Sequence, residues 1–501
     1  MHWLSCRKTI TLCIVFRVLF ALGLDFYLSP PTSYAYYADN GDKVVEFINT
    51  GPGLLSASSP LTLYANLKES LWLYQRGMDP YGSGIGQVGV SPLYLAFSFF
   101  PTIAESGPLK TQLLSKLFGI FLWTAPDAFS AWFLVRIWKA RASSRTSTNS
   151  SSSSITFVLP LIYLLSPYVI LSSLARSTSV WENAILLGAI AWACESESEF
   201  KTKPKLNNSN SKSKSKSLLF LALRVHLSLD ALILLPPLIL ILLGSPESRL
   251  AEPGPFALYV AKRRSVKKQP EEKLPNEPAE NHLRSTILRA ALNVLFEFMV
   301  YWTALALIST LIVGHWRWMS TTWGTSLSLP SMTPNPGLWW YFFTEMFDHF
   351  RPFFLVVFNV HLLMYVAPIC IKFQHDPLYA LFILVGILAT FKSYPTLSDH
   401  GLFIAFWGIF PEVYPYLRHP FPTTLVLIHS ALLQPLFAHL WLSHGTGNAN
   451  FYYASTLVGA CAGGMAIVDA VWAGLRIALE RHGKRELKFV EGEEREIVTQ
   501  Q

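Results

Sequence analysis

The residues from Ser328 to Phe350 combine groups that could do chemistry with a run of aromatic side chains. Glu345, Asp348 and His349 are the candidates, because carboxylates and imidazoles are common metal ligands. Di-iron carboxylate proteins present a histidine three positions after a glutamate. In this chain that position is Asp348, and no companion motif occurs elsewhere in the sequence. We therefore expect no metal site and no cofactor.

The same stretch predicts a short helix over 336–351. Asn335 is a typical N-cap, Pro336 is suited to the first helical position, and Pro352 should end the helix. About 16 residues at 1.5 Å each span roughly 24 Å, which is less than the hydrocarbon core of a membrane. The segment should therefore lie along the membrane or re-enter it, and the same alternatives apply to 88–104.

One face of this predicted helix carries Tyr341, Glu345, Asp348 and His349. Polar groups in a membrane-seeking segment usually point into protein or water. We expect these four side chains to hold neighbouring helices or another subunit. Direct contact with a ligand is the alternative.

Two other stretches place polar groups at the ends of apolar runs. Lys392 follows the run 377–391, where it could snorkel to the interface or, beside a cavity, bind a phosphate. Asn448 and Asn450 lie in the turn before the last apolar run. Their amides suit turn and N-cap positions, but they could equally offer donors and acceptors to a sugar or phosphate.

The composition is that of an integral membrane protein. Of the 501 residues, 51% are hydrophobic and 14% are charged. The net charge of +8 comes from basic residues in short segments between apolar runs, which indicates topology rather than nucleic-acid binding. The five cysteines show neither a zinc spacing nor a disulfide framework.

Low-complexity and basic segments predict the topology. We expect the segments 139–154, 195–217 and 245–286 and the tail 480–501 to be cytosolic, and 29–85 to be a lumenal loop. Asn149 and Asn207, although they begin glycosylation motifs, would then lie in the cytosol.

The apolar runs between these segments give the right parity for about ten spans and one hairpin. The spans are expected at 9–28, 112–137, 155–173, 178–194, 287–313, 353–371, 377–391, 397–411, 422–442 and 451–475. The fold class is thus an all-α polytopic membrane protein with about 10–12 transmembrane helices. We treat residues 1–501 as a single integral membrane domain.

The hairpin is needed at 218–244, where about 27 residues lie between two basic loops and two crossings would need roughly 40. Pro236 and its neighbouring proline favour a broken, re-entrant path. Arg224, His226 and Asp230 lie within the run, and polar groups at this depth are tolerated only inside protein or beside water. We therefore expect a central cavity.

Three stretches have a distinctive sequence: "LSLPSMTPNPGLWWYFFTEMFDHF" at 327–350, "FKSYPTLSDHGL" at 391–402 and "GNANFYYA" at 447–454. Together they resemble the PIG-U family, whose members are subunits of glycosylphosphatidylinositol (GPI) transamidase. The stretch at 164–186 is similar to the family's Asn-Pro-Tyr-x-Ile-Leu-Ser segment, although Ser166 replaces the usual asparagine. The resemblance is collinear over most of the chain.

This resemblance implies a noncatalytic subunit in the endoplasmic reticulum membrane that helps to recognise the GPI lipid and to organise the complex. It also implies partner subunits, among them a caspase-like cysteine protease that performs the transamidation. We expect Lys392, Asn448 and Asn450 to line one exoplasmic site for the GPI headgroup, with Tyr394 and Phe451 beside it.

Two other functions stay open. The family is similar in span pattern to membrane mannosyltransferases that use dolichol-linked sugars. The segment 29–85, however, has no Asp-x-Asp pair among its acidic residues, which include Asp39, Asp42 and Glu46. A glycosyl transferase needs a base and often a metal, so catalysis is disfavoured and we assign no catalytic residue. A lipid flippase or transporter would fit a cavity, but the sequence shows no inverted repeats.

Overall fold

A computed structural model describes residues 2–28, 57–82, 90–96, 109–142, 151–202, 207–244, 250, 277–442 and 444–489. Within these ranges the backbone forms helices and turns and no strand, which confirms the all-α class. Several predicted features lie outside the described residues: Asp39, Asp42, Glu46, Asn149, the greater part of 88–104 and of 245–286, and the tail beyond 489.

The described α-helices include the predicted apolar runs but also extend into segments expected to be loops, such as 195–217 and the part of 29–85 at 64–75. In chain order they are α1 (His2–Leu28), α2 (Tyr64–Gln75), α3 (Pro92–Ala96), α4 (Leu109–Ala142), α5 (Ser151–Leu164), α6 (Pro167–Leu174), α7 (Ser179–Thr202), α8 (Asn207–Leu227), α9 (Leu235–Leu243), α10 (Glu277–Val313), α11 (Trp318–Ser328), α12 (Trp339–Glu345), α13 (Arg351–Met364), α14 (Val366–Lys372), α15 (Pro377–Phe391), α16 (Leu397–Trp407), α17 (Pro420–Leu442) and α18 (Ala449–Phe489). Short 3₁₀ helices occupy Leu229–Leu234 and Pro411–Tyr416.

Among the described residues, five helices are long and apolar enough to cross a membrane, or six if the bent pair α5 and α6 counts as one span. The five are Leu117–Arg141, Leu288–Val313, Arg351–Lys372, Pro420–Leu442 and Ala449–Leu479. This confirms a polytopic membrane protein, but by this criterion the crossings are fewer than the ten expected. Part of the difference arises because some apolar runs, such as 377–391, form helices too short to meet this criterion.

Helix α15 is the clearest of these short helices, and it lies at the centre of the core. Every residue from Pro377 to Thr390 is buried, and α15 packs against α9, α16 and α18. The Phe382 ring stacks on Phe403 with centroids 5.4 Å apart. Its 15 residues reach only about 22 Å, so α15 is a buried core helix surrounded by protein.

The expected span at 155–173 is bent rather than straight. Helices α5 and α6 meet at an angle of 46°. The break falls at Ser166, which has extended backbone, because the following Pro167 cannot donate the hydrogen bond that a continuous helix needs. Pro167 instead occupies the first turn of α6, where it is tolerated.

The apolar run at 218–244 is broken, as expected, but the break lies earlier than the proline pair, and the re-entrant hairpin itself stays a prediction. Helix α8 runs antiparallel to α7, as two hydrogen bonds show. Ser217 donates to the Ala189 carbonyl, and Ser213 donates to the Trp192 carbonyl. The chain leaves α8 at Leu227 and passes through the 3₁₀ helix Leu229–Leu234. Prolines then fill the first turn of α9, where no intrahelical donor is required.

The helix predicted over 336–351 is wrong in length. Helix α12 covers only Trp339–Glu345, and its Asn335 cap does not form. The Asn335 side chain instead accepts a hydrogen bond from the Gly337 amide at 2.8 Å and donates to the Thr333 carbonyl at 2.9 Å. These local bonds favour a turn over a helix start. Pro352 does not follow this helix, because it lies in the first turn of α13.

Candidate ligand cleft

A cleft of about 480 Å³ lies between α12 and the turn that joins α17 to α18. Its walls carry both aromatic and polar side chains, among them Trp340, Tyr341, Glu345, Trp441, Asn448 and Asn450. This volume is in the range of small-molecule binding sites, which are typically about 300–1,000 Å³. The structure thus brings together two stretches that the sequence singled out separately.

The turn between α17 and α18 sets the position of the two asparagines. Gly445 adopts a left-handed conformation with φ of 64°, which glycine tolerates without strain. The Thr446 amide donates to the Leu440 carbonyl at 3.1 Å, so the chain folds back over the end of α17. The side-chain oxygen of Asn448 then accepts from the Phe451 amide at 3.1 Å and caps α18. The turn and cap role considered for Asn448 is therefore confirmed.

Asn450 is held from across the cleft. The Tyr341 hydroxyl donates a hydrogen bond to the side-chain oxygen of Asn450. The Tyr341 ring also stacks on Tyr453, with centroids 4.6 Å apart. Partial desolvation, and secondly the Glu345 carboxylate, raise the pKa of Tyr341, so its phenol remains a proton donor. Because its oxygen accepts from the oriented Tyr341 hydroxyl, the Asn450 side-chain amide has a defined orientation. Its NH₂ group can act only as a hydrogen-bond donor.

The base of the cleft is aromatic and rigid. Trp340 is 3% exposed, and its ring lies 6.2 Å from that of Trp441 and 5.8 Å from that of Tyr452. Aromatic rings packed in this way present a fixed apolar surface beside the amides and the Glu345 carboxylate. The cleft therefore suits a ligand that has hydroxyl groups on an otherwise apolar frame, such as a sugar or a cyclitol.

Lys392 lies at the end of α15, as expected, but its ammonium points elsewhere. The side-chain nitrogen lies 2.9 Å from an Asp399 carboxylate oxygen and 3.2 Å from one of Asp230, and the residue is 6% exposed. Lys392 is not among the residues that line the cleft. The expected arrangement, with Lys392 and the asparagines around one headgroup, is not what the structure shows, because two carboxylates neutralise the lysine.

The partners of Lys392 belong to a buried cluster of charges that also includes Arg224 and Glu182. Arg224 lies 3.1 Å from Glu182, and Asp399 accepts from the Thr396 amide at 2.7 Å in a capping box. Three carboxylates thus face two cations. Several polar groups of the run 218–244 are thus paired within the protein, and the His226 ring also bonds to Ser309 at 2.7 Å. Among the described residues, Nδ1 of His226 and Nε of Arg224 have no hydrogen-bond partner, so the central cavity expected beside this run stays a prediction.

The turn at 391–395 connects the charge cluster to the cleft. The Trp339 indole donates to the Phe391 carbonyl at 3.0 Å, and the Tyr394 hydroxyl donates to the Ser331 carbonyl at 2.8 Å. Gly337 packs so closely on the turn that a Cβ there would lie 2.6 Å from the Pro395 ring. The charge cluster fixes this turn, and the turn supports the segment that presents Tyr341.

The remaining candidates are distributed around these features. Tyr394 is buried and serves the turn rather than the cleft. Phe451 is 57% exposed and stacks on Phe437, on α17. Asp348 and His349 lie beyond the end of α12 and are exposed, so they do not share a helical face with Tyr341. Their predicted packing against another subunit stays a prediction.

Comparisons with known proteins agree on one family. The family model described as GPI transamidase subunit PIG-U matches residues 31–459. The chain is 30% identical to the human GPI-anchor transamidase component PIGU over 430 residues, covering 83% of this chain and 86% of the human protein. It is 27% identical to the GPI transamidase component GAB1 of Saccharomyces cerevisiae over 425 residues, covering 84% and 87% of the two chains. The chain therefore belongs to the PIG-U family of GPI transamidase subunits.

Proposed function

We propose that this chain is a noncatalytic subunit of the GPI transamidase in the endoplasmic reticulum membrane, and that it binds the GPI lipid at the cleft beside α12. The observation that carries the proposal is the pairing of Asn450 with Tyr341 above the base formed by Trp340 and Trp441. Amide and phenol groups can bind the hydroxyls of inositol or of the glycan. The exposed Phe451 offers an apolar contact for the upper acyl region.

In this proposal Lys392 is a positioning residue. Its ammonium is already neutralised by Asp230 and Asp399, so it supports the turn at 391–395 rather than binding the lipid phosphate. The residues around the cleft include Glu345 and, among those described, no lysine or arginine. Recognition of hydroxyl groups therefore fits the cleft better than recognition of phosphate.

A noncatalytic role agrees with the positions of the cysteines. Transamidation needs an exposed thiolate next to a base. Of the four cysteines whose side chains the structure describes, Cys13, Cys194 and Cys370 are buried, and Cys461 lies inside the apolar stretch Ala449–Leu479. We propose that a caspase-like cysteine protease subunit supplies the nucleophile, and that this chain holds the lipid and organises the complex around it.

The test uses cells that lack the endogenous subunit and express variants of this chain. We expect the double variant Asn448→Ala/Asn450→Ala to assemble into the complex while retaining less GPI. Free GPI and unprocessed precursor should accumulate. The loss of one or two hydrogen bonds of about 1 kcal/mol each corresponds to a decrease in GPI retention of roughly 5- to 30-fold. The measurements are co-purification of subunits, mass spectrometry of bound GPI and anchor transfer.

Asn359→Ala is the matched control, because this asparagine lies on α13 and donates only to the carbonyls of Leu327 and Leu355. It should leave GPI retention unchanged. Normal retention and transfer in the double variant would refute the cleft as the lipid site. Loss of assembly together with transfer would instead show that Asn448 and Asn450 are structural.

A further inference from the structure

Two histidines meet at the end of α17, on the side of the turn that the cleft does not use. His439 lies in the last turn of the helix and His444 just beyond it, and both are exposed. The Nε2 atoms of the two rings are 3.1 Å apart, and the ring planes are nearly perpendicular at 89°. The mechanism proposed above uses neither residue.

The backbone of the turn brings these rings together. The His444 amide donates to the His439 carbonyl at 3.3 Å, and the amides of Thr446 and Gly447 both donate to the Leu440 carbonyl. Gly445, with its positive φ, allows the chain to reverse directly after His444. The pairing of the two imidazoles is thus built into the C-terminal cap of α17 rather than left to two independent surface side chains.

The distances between the rings fit a shared ligand. Two nitrogens on adjacent corners of a tetrahedron around Zn²⁺, with Zn–N of about 2.0–2.1 Å, lie about 3.4 Å apart. In a square-planar site the corresponding separation is about 2.9 Å. The observed 3.1 Å lies between these values.

The inclination of the two imidazole rings also fits a shared ligand. If the nitrogens faced each other in a linear N–H···N bond, ring centres about 1.1 Å behind each nitrogen would be roughly 5.3 Å apart. The observed separation of the ring centres is 4.7 Å. The two rings are therefore inclined to the line that joins their nitrogens, as two imidazoles that share one metal ion also are.

We propose that His439 and His444 form a two-histidine site for a divalent transition metal of the Zn²⁺ class. Imidazole nitrogen suits zinc, copper and nickel and does not suit Mg²⁺ or Ca²⁺, which prefer oxygen. Within the described part of the chain, no three His, Cys, Asp or Glu side chains are arranged to hold a metal ion, so this chain would contribute two ligands. Water or a partner subunit would complete the coordination, and neutral imidazoles are required, so binding weakens as the pH falls.

This site does not depend on the cleft as a lipid site, but it adjoins it. Trp441, which lines the cleft, lies between the two histidines, and Asn448 follows the same turn. A metal bridging His439 and His444 would fix the turn that carries both groups. Metal binding is measurable directly, whether or not the cleft binds GPI.

The test titrates the detergent-purified complex, prepared with a tag that contains no histidine, with Zn²⁺ alone and in parallel with Mg²⁺ alone. We expect one saturable Zn²⁺ site that His444→Ala removes or weakens by at least about 10-fold, with no response to Mg²⁺. His444→Cys keeps a zinc ligand and should retain the site. His429→Ala is the control, since this exposed histidine lies on the same helix and bonds only to the Leu425 carbonyl at 2.7 Å.

Two results would overturn the proposal. One is the absence of a saturable Zn²⁺ site in the assembled wild-type complex. The other is Zn²⁺ binding that is the same in wild type, His439→Ala and His444→Ala, because the metal would then be bound by other residues or subunits.

Discussion

At the scale of single residues, the Lys392 cluster has three carboxylates and two cations in a buried setting. Taking charges out of water is costly, and the cost is offset only while each charge keeps its partners. Asp230 and Asp399 both depend on one ammonium. Lys392 is therefore needed to keep the 3₁₀ segment at Leu229–Leu234 attached to the end of α15.

Removal of this lysine should be strongly destabilising. In Lys392→Met the two carboxylates lose their shared cation, and breaking a buried pair costs about 3–5 kcal/mol. We expect a lower apparent melting temperature of the complex in detergent, followed by tryptophan fluorescence. The double variant Lys392→Met/Asp230→Asn should recover part of the loss, because one unpaired charge is removed as well.

Lys372→Met is the control for this series, because Lys372 is exposed at the end of α14. Its melting temperature should match wild type. If Lys392→Met melts like wild type, the charge cluster does not stabilise the fold, and the supporting role of Lys392 must be abandoned.

The residue scale also shows where sequence reasoning reached its limit. Lys392, Asn448 and Asn450 could be recognised because each is a polar side chain at the end of an apolar run. Their partners could not, because Tyr341 is 109 positions from Asn450 and Asp230 comes from a different apolar run than Lys392. The local sequence pattern is the same for a lysine that snorkels to the interface, one that binds phosphate and one that pairs with buried carboxylates.

At the scale of elements, α15 illustrates what hydrophobic patterning predicts well. Its bounds, Pro377–Phe391, coincide with the expected run because Asp376 caps the start and a charged lysine follows the end. Patterning did not predict that α15 would be buried on all sides. Nor did it predict the shortness of α12, because that depends on the local hydrogen bonds of Asn335.

The packing of α15 on α16 can be tested by adding one methyl group at Gly386. A Cβ at Gly386 would lie 2.5 Å from the ring of Phe403, which is 1% exposed and stacked on Phe382. Because this ring has no space to move, we expect Gly386→Ala to destabilise the protein by about 1–3 kcal/mol and lower its melting temperature.

Gly464 in α18 provides the matched control, since a Cβ there would meet nothing within 4 Å. Gly464→Ala should be neutral or stabilising by up to about 1 kcal/mol, because alanine is the better helix former. Equal melting temperatures for Gly386→Ala and Gly464→Ala would contradict the close contact between α15 and α16.

At the scale of the whole molecule, the long apolar helices are unequally covered. In the most apolar stretch of Arg351–Lys372 only 11% of the residues are buried, and in that of Leu288–Val313 only 17%, against 61% for Leu117–Arg141. Apolar surface of this extent faces lipid or other membrane helices. Helices α10, α13 and α14 therefore form the periphery of the protein, while α4 belongs to its core.

The orientation of the whole bundle follows from its basic segments. Lys and Arg residues concentrate at 139–154, 195–217, 245–286 and 480–501, which the positive-inside rule assigns to the cytosol. With the spans expected from the sequence, parity predicts that the turn at 444–448, with the cleft and the histidine pair, lies on the exoplasmic side. The proposed GPI site needs this orientation, whereas the proposed zinc site does not depend on it.

Site-directed labelling can decide the orientation. In a background without the five native cysteines, we expect Asn448→Cys to react with a membrane-impermeant maleimide only after microsomes are permeabilised. Asn448 is exposed, so a thiol at this position is accessible to the reagent once it reaches that side. Glu493→Cys, in the basic tail, serves as the matched control and should react in sealed microsomes. Labelling of Asn448→Cys in sealed vesicles would show that the cleft faces the cytosol, which would contradict both the predicted topology and the proposed GPI site.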